Sequence, residues 1–153
     1  MIKLILASQS EGRKYLLKQL KIPFEIIHTD LDEEKIVGKN PIETIKLRAK
    51  LKAESVAKKL ITHNPQPTTL ILSADTEVIF DNKLIGKPQD YTDAIRILGM
   101  LSGKTHEVIS GFYMIEIRNL KLETRKNIKQ PKIPILKTYC GFDRSFVTFR
   151  KLK

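Results

Sequence analysis

Asp75 follows an uncharged aliphatic run, Leu70-Ile71-Leu72, and precedes Thr76, Glu77 and a second β-rich run, Val78-Ile79-Phe80. The first run fits a strand buried on both faces and ending close to the aspartate. Asp81-Asn82-Lys83 supplies turn chemistry, because Asn tolerates the left-handed conformation. Leu84-Ile85 then returns as a strand, which Gly86-Lys87-Pro88 ends. A carboxylate at the mouth of a buried strand, with a lysine brought back by a hairpin, suits a site for phosphate and a metal ion. The same residues would equally make an ordinary solvated turn.

Two other stretches hold comparable chemistry. Ser8-Gln9-Ser10-Glu11-Gly12-Arg13 is small and polar and leads into Tyr15-Leu16-Leu17 and Leu20 at helical spacing. Ser10 fits an N-cap, so the turn offers backbone N–H groups at the positive end of a helix, where a phosphate can bind. A simple capped helix is the plainer alternative. Thr29-Asp30-Leu31-Asp32-Glu33-Glu34 is the one dense acidic stretch in a basic chain. It could give a metal-ligating carboxylate, or be a solvated loop before a helix.

The elements that must hold these residues alternate. Ile2–Ala7 reads as a buried strand and Phe24–His28 as a second, with the intervening helix closed by Lys21-Ile22-Pro23. Asn40-Pro41-Ile42-Glu43 is a helix start, with Asn as cap and Pro at the first position. That helix runs to about Ile61 on a stripe of Ile45, Ala49, Ala53, Val56 and Leu60. His63–Thr68 is a proline-bearing loop, and His63 is taken as a loop histidine. Tyr91–Leu101 is a further helix, expected to turn Ala94, Ile95, Leu98 and Leu101 inward and to stop at Ser102-Gly103. Lys104–Ile115 is a strand. From Arg118 to Asp143 the chain is lysine-rich with two prolines and no sustained period, an excursion between strands. Ser145–Phe149 is strand-like. Alternating strands and helices predict an α/β fold, a mixed sheet flanked by helices, in a single domain over residues 1–153.

Bulk properties narrow the classes. The chain has 153 residues, 41% of them hydrophobic, and no apolar run reaches the ~18–20 residues of a membrane span. The N-terminal apolar run is too short for a secretory signal, and the single Cys140 allows no internal disulfide, so a cytoplasmic protein is expected. The net charge of +11 points to an anionic partner or to codon bias in an A+T-rich genome. Aromatic content of 7% and the absence of a nucleic-acid motif argue against a nucleic-acid-binding module.

The order of the pieces resembles the Maf family of nucleoside triphosphate pyrophosphatases. Its opening, LASxSPRRxxLL, is similar to LASQSEGRKYLL from Leu6 to Leu17. Its KA-bearing helix corresponds to Lys52-Ala53, its ADTxV to Ala74–Val78, its GKP to Gly86-Lys87-Pro88, and its LSGxxHxVxTG to Leu101–Gly111. The resemblance covers Met1 to about Met114. The resemblance implies a two-lobed fold related to the inosine triphosphate pyrophosphatases, hydrolysis between the α- and β-phosphates, and a divalent metal, Mg²⁺ or Mn²⁺. It implies Asp75 as general base, near the metal together with Glu33. Ser8, Ser10, Arg13, Lys52 and Lys87 would bind the phosphates, and Gly12 and Thr76 would sit where substrate choice is tuned. The substrate would be dTTP, UTP or a modified nucleotide such as 7-methyl-GTP.

Two departures accompany the resemblance. The family's Pro-Arg-Arg is Glu11-Gly12-Arg13, which removes one bidentate cation from the phosphate corner. No segment resembling the family's DKAGAYGIQG follows, so a C-terminal lobe is expected to be missing. The alternative expectation is a weakly active or inactive Maf-like protein that at most binds nucleotides, with a homodimer covering its open face.

Overall fold

The computed structural model describes residues 2–61, 68–118 and 135–152. Asn40 caps the longest helix, α2 (Pro41–Ile61): its Oδ1 accepts from the Glu43 backbone N–H at 2.9 Å. Ile45, Ala49, Ala53, Val56 and Ala57 on one side of α2 are wholly buried. The small alanines let the helix lie close against a sheet.

That sheet has six strands. β1 (Ile2–Leu6) leads through α1 (Glu11–Gln19) to β2 (Phe24–Ile26), then a single 3₁₀ turn (Glu33–Lys35) precedes α2. β3 (Thr68–Phe80), β4 (Lys83–Ile85), α3 (Tyr91–Leu101), β5 (Thr105–Arg118) and β6 (Ile135–Thr148) follow. The strand order is β2-β1-β3-β5-β6, with β4 also paired to β3. β2, β1 and β3 run parallel, whereas β5 lies antiparallel to β3, and β6 to β5. The mixed α/β architecture is therefore as expected from the alternation of elements.

Several details differ from the sequence reading. Leu70–Leu72 and Val78–Phe80 belong to one continuous strand, so Asp75 sits within β3 and not at its end. Nor is β3 buried on both faces. Thr69, Ile71, Ser73 and Asp75 are buried beneath α2, while the alternate residues from Thr68 to Ala74 are half-buried. The hairpin is as expected: Asp81 (φ 49°) and Asn82 (φ 58°) are both left-handed, as a type I′ turn requires. In α3 only Leu101 of the expected stripe is buried, while Ile95 and Leu98 are 54% and 46% exposed. The helix has the right period but, among the described residues, little to pack against. The expected excursion over 118–143 is corrected at its end, because Ile135–Asp143 already pairs with β5; residues 119–134 and the His63 loop lie outside the described residues.

Two apolar clusters lie along α2. One joins Ile5, Ala53, Val56, Ile71, Ile115 and Ile117, and the other joins Ile45, Ile79 and Ile109. Between them Ser73 Oγ donates to the backbone oxygens of Ala49 and Tyr113 (2.5 and 3.1 Å), stitching helix to sheet. The second cluster depends on a glycine. A Cβ on Gly111 would fall 2.9 Å from Ile45 Cγ2, and Ile45 is β-branched and fully buried, so it has little room to yield. Gly111→Ala is expected to cost about 1–3 kcal/mol by overpacking, read as a lower thermal midpoint by circular dichroism.

Candidate active site

β3 loses one neighbour before it gains the next. β1 pairs with it only as far as Leu72, and the pairing with β4 starts at Val78. Along Ser73–Glu77 one edge of β3 is held by β5 and the other faces a gap. The Ala7 N–H donates to the Leu72 carbonyl at 2.8 Å, which marks this edge as the side to which alternate backbone groups point. Ala74 follows that alternation, its carbonyl accepting from Lys52 Nζ at 3.4 Å. The gap lies beyond the carboxyl ends of the parallel strands β1 and β2, where open α/β sheets bind ligands. A cleft of about 700 Å³ opens there.

Its floor is charged and buried. Asp75 and Lys52 are each 4% exposed, with Lys52 Nζ 2.9 Å from Asp75 Oδ1. Lys52 Nζ also meets Glu33 Oε2 at 2.5 Å. Of the acidic loop, only Glu33 reaches this centre: Asp30 pairs with Lys59 and Asp32 with Lys35, both at 2.7 Å. Asp75 Oδ2 is buried with no hydrogen-bond partner among the described residues, an unusual condition for a carboxylate oxygen. The Arg48 guanidinium stands 3.9 Å from it and 2.8 Å from Glu77 Oε1.

The opposite wall is the first turn. Ser10 caps α1, accepting from the Arg13 backbone N–H at 3.4 Å, while its own N–H donates to Ser8 Oγ at 3.1 Å. Arg13 reaches from α1 to β3: Nη1 donates to Ser8 Oγ (3.2 Å) and Nη2 to Thr76 Oγ1 (3.3 Å). Thr76 Oγ1 lies 2.9 Å from Ser110 Oγ on β5. Lys87, exposed just past β4, closes the rim.

The structure thus gathers Ser8, Ser10, Arg13, Glu33, Lys52, Asp75, Thr76 and Lys87 around one cleft. Gly12 stays outside its lining, on the exposed side of α1. The sequence reading missed Arg48, Glu77 and Ser110. Arg48 lies one turn before Lys52 on α2, Glu77 two residues after Asp75 on one strand face, and Ser110 opposite Thr76 in register. Helical and strand periods applied outward from Lys52 and Asp75 would have found the first two; Ser110 required the pairing of β3 with β5.

Burial, helped by the charge of Asp75, raises the Glu77 carboxyl above the ordinary carboxylate range, and Arg48 and Lys52 only partly oppose this. An acid whose pKa is raised by folding costs stability once it ionises, and the cost vanishes below its unfolded value. The stability of Glu77→Gln relative to wild type should therefore increase as pH rises from below 4.5 through the raised value, measured as paired thermal midpoints across that range.

A family model described as Maf-like protein matches residues 3–141. The chain belongs to the Maf family. The match runs past Met114, where the recognisable motifs stop. Among similar proteins, the dTTP/UTP pyrophosphatase of Clostridium botulinum (strain Kyoto / Type A2) is 42% identical over 122 residues, covering 79% of this chain and 61% of that protein. The dTTP/UTP pyrophosphatase of Acetivibrio thermocellus is 38% identical over 134 residues, covering 87% and 66%. This Maf chain thus spans about three fifths of the length of the first of these curated relatives. A HAM1 protein from Coxiella burnetii superposes with a TM-score of 0.51 at 14% identity, covering 95% of this chain and 72% of that one, which shows a shared fold. No helix among the described residues is long and apolar enough to cross a membrane.

Proposed function

We propose that this Maf chain binds a nucleoside triphosphate in the cleft and hydrolyses it between the α- and β-phosphates, giving a monophosphate and pyrophosphate. The single observation that supports this best is the buried, unpartnered Oδ2 of Asp75, on the floor of a cleft whose far wall carries Arg13 and the α1 N-terminus. A buried carboxylate oxygen with no close donor among the described residues is a ready proton acceptor. Water oxygen would bond to phosphorus while Asp75 Oδ2 takes its proton, and the bridging oxygen would leave with the pyrophosphate. Arg13, Ser8, the backbone N–H groups at Ser10 and Lys87 would hold the polyanion in line.

A divalent cation fits the residues present. Glu33, Asp75 and Glu77 outnumber Lys52 and Arg48 by one charge, and one buried oxygen lacks a partner. Among the described residues no three ligand side chains stand ready-made. Mg²⁺ and Mn²⁺, however, take one or two carboxylates and complete their shells with water and substrate oxygens. Glu33 and Asp75 would hold the ion, whose chemistry is to offset charge on the triphosphate.

For the substrate, dTTP and UTP are the first choices, following what the relatives' names say of those proteins. The test is incubation with each nucleoside triphosphate, 7-methyl-GTP included, in Mg²⁺ or Mn²⁺, with pyrophosphate as readout. Release from dTTP and UTP above the others supports the reading. Nucleotide binding without pyrophosphate release from any of them would overturn it in favour of a binding protein.

A further inference from the structure

Arg48 is in a position to disable Asp75 and does not. Its guanidinium side chain is 11% exposed, and a buried arginine beside a buried carboxylate ordinarily closes to a bidentate pair at about 2.7–2.9 Å. Here Nη1 stops 3.9 Å from Asp75 Oδ2, and that oxygen has no hydrogen-bond donor among the described residues. Two acceptors hold the guanidinium back. Nη1 is 2.8 Å from Glu77 Oε1, and Nε donates to the Ile36 carbonyl at 3.1 Å. Ile36 follows the 3₁₀ turn that carries Glu33. One side chain thus ties the Glu33 loop to β3, and the carboxylate two residues along β3 decides where that side chain stops.

We infer that Glu77 is a positioning residue: it holds Arg48 off Asp75 and so keeps Asp75 Oδ2 open for water or a cation. Glu77 touches no reacting atom in this arrangement. It acts by competing for a donor that would otherwise satisfy Oδ2. Lys52 cannot substitute for Arg48 on Oδ2, because its ammonium already meets Asp75 Oδ1, Glu33 and the Ala74 carbonyl. The inference deepens the reading of Asp75 as the reacting carboxylate and rests on it for its consequence, although the geometry can be judged without it.

Glu77→Gln is nearly isosteric and removes the stronger acceptor. In its crystal structure, grown without metal, the Arg48–Asp75 separation should contract from 3.9 Å to about 2.8 Å. A separation that stays where it is overturns the inference, whatever the enzyme does. Mn²⁺ titration of the full chain by calorimetry gives the second readout, with affinity expected to fall about 10–100-fold. Adding Lys87→Met restores the net charge without moving Arg48, so affinity should stay low. Recovery in that double variant would mean that Glu77 acts by charge alone and would overturn the inference. Glu77→Asp keeps a carboxylate for Arg48 and serves if the glutamine variant does not fold. Its Arg48–Asp75 separation should remain beyond hydrogen-bond reach, and contraction there would also overturn the proposal. Wild-type protein that binds no Mn²⁺ would count against the metal reading, leaving the crystallographic arm to decide this one.

Discussion

Asp75→Asn should abolish most pyrophosphate release while leaving the protein folded. The amide occupies the same space, so the register of β3 against β5 and the packing under α2 are kept. Lys52 loses one ion pair but retains Glu33 and the Ala74 carbonyl. What disappears is the proton acceptor, and a positioned general base is worth about 10²–10⁴-fold in rate. At saturating Mg²⁺, needed because Asp75 also contributes to the proposed ion site, the loss should appear chiefly in kcat, since Arg13, Ser8 and Lys87 still hold the nucleotide. Steady-state pyrophosphate assays on the two proteins measure it. Activity within about tenfold of wild type would remove Asp75 from the role of base.

Lys52→Met should show the opposite balance, with stability falling hard. The ammonium sits between two carboxylates, one of them 4% exposed. Methionine matches the stem but leaves the two acids without the ammonium between them, Arg48 at 3.9 Å being the cation still near Asp75, and both Asp75 oxygens without a close donor among the described residues. Breaking a buried pair from one side costs about 3–5 kcal/mol. For a chain of this size that is a thermal midpoint lower by about 10 °C. Differential scanning calorimetry at neutral pH reads the effect. A midpoint unchanged at neutral pH would show that Lys52 is not the counter-ion that holds this site together.

What the sequence revealed depended on range. Features set by neighbouring residues were legible: the Ser10 and Asn40 caps, the Asp81-Asn82 turn and the α2 stripe all follow from local propensity. Asp75 and Lys52 could be named because motifs bracketed them, although they lie 23 residues apart and their ion pair is a product of the fold. Where packing partners decide, the reading failed. The period of α3 is helical, but period cannot say whether another surface will cover Ile95 and Leu98. Pairing with β5 turned the last part of a lysine-rich, proline-bearing stretch into strand, overriding composition that reads as irregular. Arg48 was lost among the charges on α2, since nothing local separates a solvated cation from one that spans Ile36 and Glu77.

The two walls of the cleft are not equally anchored. Lys52 and Asp75 ride on α2 and β3, which share both apolar clusters. Ser10 and Arg13 belong to α1, where Leu17 alone is buried and Tyr15, Leu16 and Leu20 are each more than 60% exposed. Local opening free energies follow buried apolar contact, so the anion-facing wall can breathe on its own while the carboxylate floor stays fixed. A triphosphate that bridges the two would borrow rigidity from the floor and lend it to α1. Substrate would then order the very helix that grips it.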